Sequence, residues 1–492
     1  MIDEKYIAAI DLGTAKLVLS VAKVTGDDVQ VIYYREHASE GITRSNVMNL
    51  MKASGPLRSA IGEAESELGI RIRQVVVGLP RYRVTQETAN GRVERSTPDD
   101  YITREEVETL KSIAVESYPL DDMKNQIIYG AIAQSFSNDD QIQLLDEDVI
   151  GTVSESLEGN FKVFIGERRA TTAIDKIFND LGIAIAKKYF LPDVVARAVL
   201  SEEEKQNGVA LIDFGAGVTS VTLYHGGIMR HYESIPFGAE TITNDIRLEC
   251  SITPRLAENI KKAYGACMPE KLASLSEKRI QIRYEDQPYK EVAVKFISRI
   301  IDARVREIFD AILYSIQESG LAGIRRSGIV LTGGGANLAN VKLLLKDMSG
   351  YNVRIGYPKH LFSAAGCTGV YDPSATAAIG MLLAAKNDRL PECLEAPVPQ
   401  YDEPKEEEPL YQEVLEEEPA EAPAAEEPAQ MSEEEFRHGS TGQLLGDDAW
   451  ETVEPPKRKK KVRTEKNGFK MLWNKVVKAA DGLYGQITDD NI

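Results

Sequence analysis

Cysteine and histidine are both scarce. Of 492 residues, 4 are Cys and 5 are His. Cys250, Cys267, Cys367 and Cys393 show no metal or redox spacing, so they read as buried or inert thiols in a reducing cytoplasm. The histidines are scattered and suggest no metal cluster. No uninterrupted apolar run reaches ~18 residues, so no segment is expected to span a bilayer as a helix. Met1 to Lys5 leads directly into a strand-like run, so no signal peptide is expected. Apolar residues are not lacking: at 43% of the chain they suffice for the core of several subdomains.

What is present is one unit written twice. Asp11-Leu12-Gly13-Thr14-Ala15-Lys16 follows the apolar run Tyr6 to Ile10, and Asp213-Phe214-Gly215-Ala216-Gly217-Val218-Thr219-Ser220 follows Val209 to Ile212. Each leads into a second alternating run (Leu17 to Val24; Ser220 to Tyr224) and then a third (Val29 to Tyr34; Ile228 to Ser234). The repeat predicts strand, Asp-x-Gly turn, strand, strand in two copies. One such turn is commonly a plain hairpin. Two in matching context predict a two-sided phosphate clamp, because glycine lets backbone N–H groups approach phosphate oxygens. Thr14, Thr219 and Ser220 can add hydroxyl donors, and Lys16 a cation. Asp11 and Asp213, at the strand ends, suit Mg²⁺ held largely through its waters.

A further strand, Ser327 to Thr332, runs into Gly333-Gly334-Gly335-Ala336-Asn337 and a helix expected over Leu338 to Met348. Glycines at a helix start offer free N–H groups to a base and sugar. Upstream, Thr253 and Pro254 begin a helix by cap and N1 preference, and Gly265 ends it. Its Glu258 and Lys261 lie one turn apart; by themselves they read as a surface ion pair. Further helices are expected over Val194 to Lys205, from near Thr171, and over Ala375 to Lys386.

These residues together resemble the actin-like ATPase superfamily. Within it, Ile235-Pro236-Phe237-Gly238-Ala239-Glu240-Thr241-Ile242-Thr243-Asn244-Asp245-Ile246, Ala257-Glu258-Asn259-Ile260-Lys261 and Val199-Leu200-Ser201-Glu202-Glu203-Glu204-Lys205 resemble the bacterial cell-division FtsA family. The likeness covers roughly residues 5 to 390. It implies an α/β fold: duplicated actin-like nucleotide-binding domains (1–80 with 166–205, and 206–390) with a small α+β subdomain inserted at 81–165. In that insert, Thr103 and Glu106 form a capping box for a helix to about Ser117. Strands are expected at Ile127 to Phe136 and Asn160 to Ile165, with turns at Asp146 to Gly151 and Ser156 to Gly159.

The resemblance also implies ATP and Mg²⁺ as cofactors. Asp11 and Asp213 would position the metal; Gly13, Thr14, Lys16, Gly215, Gly217 and Thr219 would hold phosphates. Glu258 and Lys261 would contact ribose, and Gly333, Gly334 and Gly335 the adenosine. Ala216 and Val218 stand where Gly and Thr are usual, and Val218 removes a hydroxyl, which bears on hydrolysis rather than binding. At most weak ATPase activity is expected, and no general base is identifiable. The implied partners are the FtsZ C-terminal peptide, further division proteins and other copies of the chain in a filament. The peptide would meet a subdomain near 240–312 through Arg304 and, more weakly matched, Lys290; an i,i+3 pair with Glu307 is the other reading of Arg304.

The folded part is expected to end near Arg389. From Tyr401 to Glu454 there are 19 acidic residues and two basic ones, Lys405 and Arg437, so this segment carries −17 of the chain's −19. Such Pro-, Ala- and Glu-rich composition predicts a disordered linker over 391–466. About 65 flexible residues reach roughly 45 Å. The charge then reverses: Lys457 to Lys478 holds ten basic residues and one acidic, Glu465. Over 467–486, Phe469, Leu472, Trp473, Val476, Ala480, Leu483 and Tyr484 fall on one helical face. At ~24 Å the helix is too short and too charged to span, and suits the surface of an anionic bilayer. Docking on the body, a partner's groove and a nucleic-acid tag are the competing readings; the neighbouring acid opposes the last.

FtsA proteins end in such a linker and helix, so the likeness implies a peripheral protein at the division site. It would anchor FtsZ filaments, the Z ring, to the cytoplasmic face of the cell membrane and help assemble the division machinery. An actin-like pilus-assembly scaffold shares the insert but usually lacks this tail. An actin-fold phosphotransferase or hydrolase would leave the tail unexplained.

Overall fold

Ile7 to Ile10 and Val209 to Ile212 are buried on both faces, as continuous apolar runs in central strands require. Each heads a set of matching elements in a computed structural model that describes residues 4–395, apart from 140–142, 273–276, 285–286, 325, 360, 365, 389 and 391. In the first set, β1 (Glu4–Leu12), β2 (Lys16–Thr25) and β3 (Asp28–Ala38) form an antiparallel meander. On the other side of β1, β4 (Gln74–Gly78) runs parallel to it and β8 (Ala184–Tyr189) parallel to β4. In the second set, β9 (Val209–Phe214), β10 (Thr219–His225) and β11 (Ile228–Ile235) form the meander, with β14 (Ile329–Thr332) parallel to β9 and β15 (Val353–Ile355) parallel to β14. The strand order is the same in both, and the predicted duplication is borne out.

Alternation along β1 divides the core. Ala8 and Ile10 face α1 (Leu50–Leu68) and α3 (Arg168–Asp180), whose Leu57, Ala60, Ile174 and Phe178 complete one apolar layer. Ile7 and Ala9 face the other way. Their layer is shared with Leu211 and Val330 of the second sheet through α4 (Leu191–Val199) and α10 (Thr376–Lys386). Both helices are buried nearly all round, as helices between two sheets must be. They cross in direct contact: a Cβ on Gly380 would lie 2.3 Å from the Val194 carbonyl oxygen.

Between β4 and α3 the chain builds a three-stranded antiparallel sheet, β5 (Thr85–Glu94), β7 (Ser156–Glu167) and β6 (Gln126–Ser137), in the order β5-β7-β6. One face is covered by α2 (Arg104–Glu116), which starts at the expected Thr103–Glu106 capping box. The other elements used below are α5 (Glu202–Asn207), α6 (Ala239–Cys250), α7 (Pro254–Tyr264), β12 (Arg279–Tyr284), β13 (Gln287–Ala293), α8 (Val294–Glu318) and α9 (Val341–Ser349).

Several local expectations change. Val194 to Lys205 is not one helix: Leu200 is extended, and Ser201 opens α5 with a second capping box through Glu204. Ser156 to Gly159 lies inside β7 rather than in a turn, paired with β5 from Glu94 to Gly91. Asp146–Val149 is a single helical turn. Leu338 does not begin a helix: Gly334–Asn337 is a 3-10 turn, and α9 starts at Val341. Order extends past Arg389, since Leu394 pairs with Ile72 and Cys393 is buried. The linker beyond Glu395 and the terminal helix, with Phe469, Leu472, Trp473, Val476, Leu483 and Tyr484, lie outside the described residues. Among the described residues, no helix is long and apolar enough to cross a membrane.

Candidate functional site: two facing phosphate turns

β1 and β9 each have a parallel neighbour, and Asp11 and Asp213 stand at their carboxyl ends, where crevices of α/β sheets form. Each is 8% exposed. The turns that follow are tight: a Cβ on Gly13 would meet the Lys16 carbonyl oxygen at 2.5 Å, and one on Gly215 the Val218 carbonyl oxygen at 2.8 Å. Carbonyls of the second turn are pinned from behind. Ala239 N–H donates to the Gly215 carbonyl (3.0 Å) and Glu240 N–H to the Ala216 carbonyl (2.9 Å). The N–H groups of Thr14, Ala15, Ala216 and Gly217 donate to no backbone carbonyl among the described residues. Donors left over in this way make an anion-binding nest.

The two turns meet. A Cβ on Gly217 would lie 2.6 Å from Thr14 Oγ1 and 3.1 Å from Arg44 N. Thr14 Oγ1 itself accepts from Ser45 N–H at 3.1 Å. Arg44 and Ser45 both take left-handed backbone, with φ of 51° and 64°. Two successive non-glycine residues in that region mark a strained loop set against the site. Nothing in the composition of Gly41 to Val47 announced it.

Between the two aspartates stands Arg81, which motif matching missed. Its Nε lies 3.4 Å from Asp213 Oδ2 and one terminal nitrogen 4.0 Å from Asp11 Oδ2. The Arg81 side chain is 12% exposed and its buried Nε donates to no acceptor, so the contact is an ion pair without a hydrogen bond there. Tyr232 O–H donates to the Arg81 carbonyl at 2.5 Å and fixes the backbone. Burial pushes the Asp11 carboxyl above the ordinary aspartate range; Arg81 pulls it down and the Asp213 charge adds to the rise. A charged residue just after the apolar run Val75 to Leu79, in a strand beside β1, was the available signal.

Other expected donors are engaged within the protein. Lys16 Nζ is ion-paired with Glu36 and donates to Ser374 Oγ at 2.7 Å, so it bridges to the segment before α10. Thr219 is fully buried and its hydroxyl donates to the Phe237 carbonyl at 2.7 Å, away from the turn's free N–H groups. Glu258 and Lys261 form the i,i+3 pair at 2.7 Å, but not on the surface: Lys261 is 8% exposed. Lys261 Nζ also donates to the Ala239 carbonyl (2.9 Å) and Thr243 Oγ1 (2.7 Å), while Thr243 O–H donates to Glu258 at 2.5 Å. The pair therefore braces α6, which pins the second turn. Burial pushes Lys261 below the ordinary lysine value, against the pull of Glu258.

Gly333 takes φ of 85°, and a Cβ there would lie 2.5 Å from Asp213 Oδ1. Gly335 packs on the Phe214 ring. The glycine turn thus stands beside the second aspartate, and Asn337 donates to Asp372 at 3.0 Å to tie it to the start of α10.

The donor set fits a hydrated cation. Two carboxylates converge on one guanidinium, and among the described residues no group of three or more His, Cys, Asp or Glu is placed to hold a metal. A divalent ion here would keep waters and phosphate oxygens in most positions, which suits Mg²⁺. Arg304 and Lys290 both touch α6: Arg304 grips Asp245, and Lys290 Nζ donates to the Cys250 carbonyl at the helix end (2.9 Å). Cys250, Cys267 and Cys393 are buried, Cys367 is partly so, and none of the four is in a disulfide.

A family model described as "Cell division protein FtsA" matches residues 210–380. Cell division protein FtsA of Pseudomonas aeruginosa is 28% identical over 407 residues, 82% of this chain and 95% of the relative. The protein of that name from Borreliella burgdorferi is 29% identical over 77% of this chain and 90% of its own length. Among solved structures, the PilM-PilN type IV pilus biogenesis complex aligns with a TM-score of 0.55 at 15% identity, covering 78% of this chain and 99% of that one. That likeness concerns the fold. The two lobes match in topology on an actin-like fold, and over most of its length this protein is similar in sequence to the FtsA cell division proteins.

Proposed function

We propose that the chain is an ATP-binding, actin-like scaffold that anchors FtsZ filaments to the cytoplasmic face of the cell membrane at the division site. The nucleotide part rests on the facing turns, whose free N–H groups and flanking aspartates suit a metal-bound triphosphate. Asp11 and Asp213 are the residues that would hold Mg²⁺, which would supply charge neutralisation for the phosphates. Thr14 and Gly217 present free backbone N–H groups, and Gly13 and Gly215 make the tight turns that aim them. Lys16 and Thr219 support the turns through Ser374 and Phe237. Glu258 and Lys261 hold α6 on the side proposed for the ribose, with Gly333 to Gly335 against the adenosine.

Kinship with division proteins favours FtsZ attachment and self-association over a pilus role. The amphipathic pattern from Phe469 to Tyr484, behind the basic run, is what favours membrane attachment. The peptide contact would use Arg304 and Lys290 along α6. The test is co-sedimentation with anionic liposomes, using the full chain and a chain lacking 466–492, each with and without FtsZ. Pelleting of both proteins with the full chain alone is expected. A truncated chain that still pellets would remove the helix as anchor; FtsZ left in solution beside pelleted full chain would remove the division role.

A further inference from the structure

We propose that Arg81 is a built-in cation of the nucleotide site, one that lets the triphosphate bind with little dependence on a divalent metal. The inference rests on the nucleotide reading above. Three features carry it. Asp11 and Asp213 are both buried, and two carboxylates without a cation would repel a phosphate that approaches the turns. The Arg81 guanidinium stands within 4.0 Å of both, and so neutralises one of the two charges at the place where the phosphates would lie. Its buried Nε–H is left without an acceptor. An orphaned, charged donor is costly unless something else accepts from it, and a phosphate oxygen is the acceptor the surrounding donors also suit. Guanidinium is moreover a good match for phosphate geometry.

The position is supported from outside the cleft. Arg81 leaves the end of β4, and its carbonyl is held by Tyr232 of β11 in the other lobe. Four residues later β5 begins, where Gln86 accepts from Tyr232 N–H at 3.0 Å. The residue is therefore fixed from the first lobe by the chain and from the second by hydrogen bonds, which leaves its side chain aimed between the aspartates.

The experiment is calorimetric titration of ATP into the full chain in excess Mg²⁺ and again in EDTA, for wild type, Arg81→Gln and Arg81→Lys. In the wild type the two Kd values should agree within about tenfold. Arg81→Gln should weaken binding in EDTA at least about tenfold more than it weakens binding in Mg²⁺. Arg81→Lys, which keeps a charge, should restore part of the EDTA affinity. Wild-type binding that disappears in EDTA would overturn the proposal even if Arg81→Gln fails to fold. So would an Arg81→Gln variant with the wild-type ratio of the two values. If no form binds ATP in either buffer, the nucleotide reading itself falls, and the role of Arg81 with it.

Discussion

The Arg304 guanidinium holds Asp245 with two hydrogen bonds, Nε to Oδ2 at 2.6 Å and a terminal nitrogen to Oδ1 at 3.1 Å. It also donates to Glu307 at 2.7 Å. The i,i+3 pair read from the sequence is thus real, but the stronger bond joins α8 to α6. The pair is only partly buried, so breaking it with Arg304→Gln should cost about 1 kcal/mol. Exchanging the charges (Arg304→Asp with Asp245→Arg) should return the melting temperature most of the way. If Arg304 also meets the FtsZ peptide, the exchanged protein will still bind that peptide at least about tenfold more weakly in a fluorescence titration. Full recovery of both would leave Arg304 a purely internal brace.

Gly238 is the N-cap of α6, and a Cβ there would lie 2.4 Å from the carbonyl oxygens of both Gly215 and Ala216. Those are the carbonyls that hold the second turn in place. Gly238→Ala must push the turn forward or the helix back. We expect a stability loss of about 1–3 kcal/mol by chemical denaturation, together with an ATP affinity at least about tenfold lower. A variant that melts like the wild type and binds ATP as tightly would show that the turn is not set from behind.

Glu258 titrates below the ordinary glutamate value: burial raises it, and Lys261 with Thr243 more than offsets that. A depressed folded value means that the unfolded chain binds more protons in this window. The contribution is therefore complete above about pH 4.5 and is lost as pH falls through the folded value. Replacing Glu258 by Gln should flatten the acid limb of a melting-temperature profile between about pH 5 and about pH 3. An unchanged limb would place the acid sensitivity elsewhere.

On the proposed membrane face, Trp473→Glu puts a charge where an apolar ring would enter the lipid. Liposome binding should fall by at least about tenfold while ATP binding stays at the wild-type level. Equal lipid affinity in the two proteins would direct attention to the basic run alone.

The central strands and the duplication were legible because apolar runs of four or five residues ended twice at the same Asp-x-Gly pattern. Cap chemistry placed α2 and α7 within a residue or so. The break at Ser201 was missed for a local reason: Val194 to Lys205 has continuous helical character, and only the Ser201–Glu204 capping box reveals a restart. Ser156 to Gly159 reads as a turn by composition, yet its glycine sits in a strand registered opposite Gly91. Within the site, the strand-end aspartates and glycine turns could be read from spacing. Arg81 and the Arg44–Ser45 loop could not, because each reaches the cleft by tertiary placement. The uses of Lys16 and Thr219 likewise depend on Ser374 and Phe237, some 358 and 18 residues away.

The three-stranded insert belongs to the first lobe by covalent connection, yet its polar contacts run to the edge of the second. Gln134 donates to the Met229 carbonyl (3.0 Å) and Lys162 to the Arg230 carbonyl (2.5 Å), while Gln86 takes the Tyr232 N–H (3.0 Å). If the lobes turn about the α4–α10 contact at Gly380 and Val194, the insert acts on them as a latch. A rotation of one lobe about that pivot must either slide the latch along β11 or swing it with the second lobe. In the second case the bending falls on residues 79–84 and 167–168, where the insert joins the first lobe. A module tethered in this way turns a small change of angle between the lobes into a larger displacement at its outer rim.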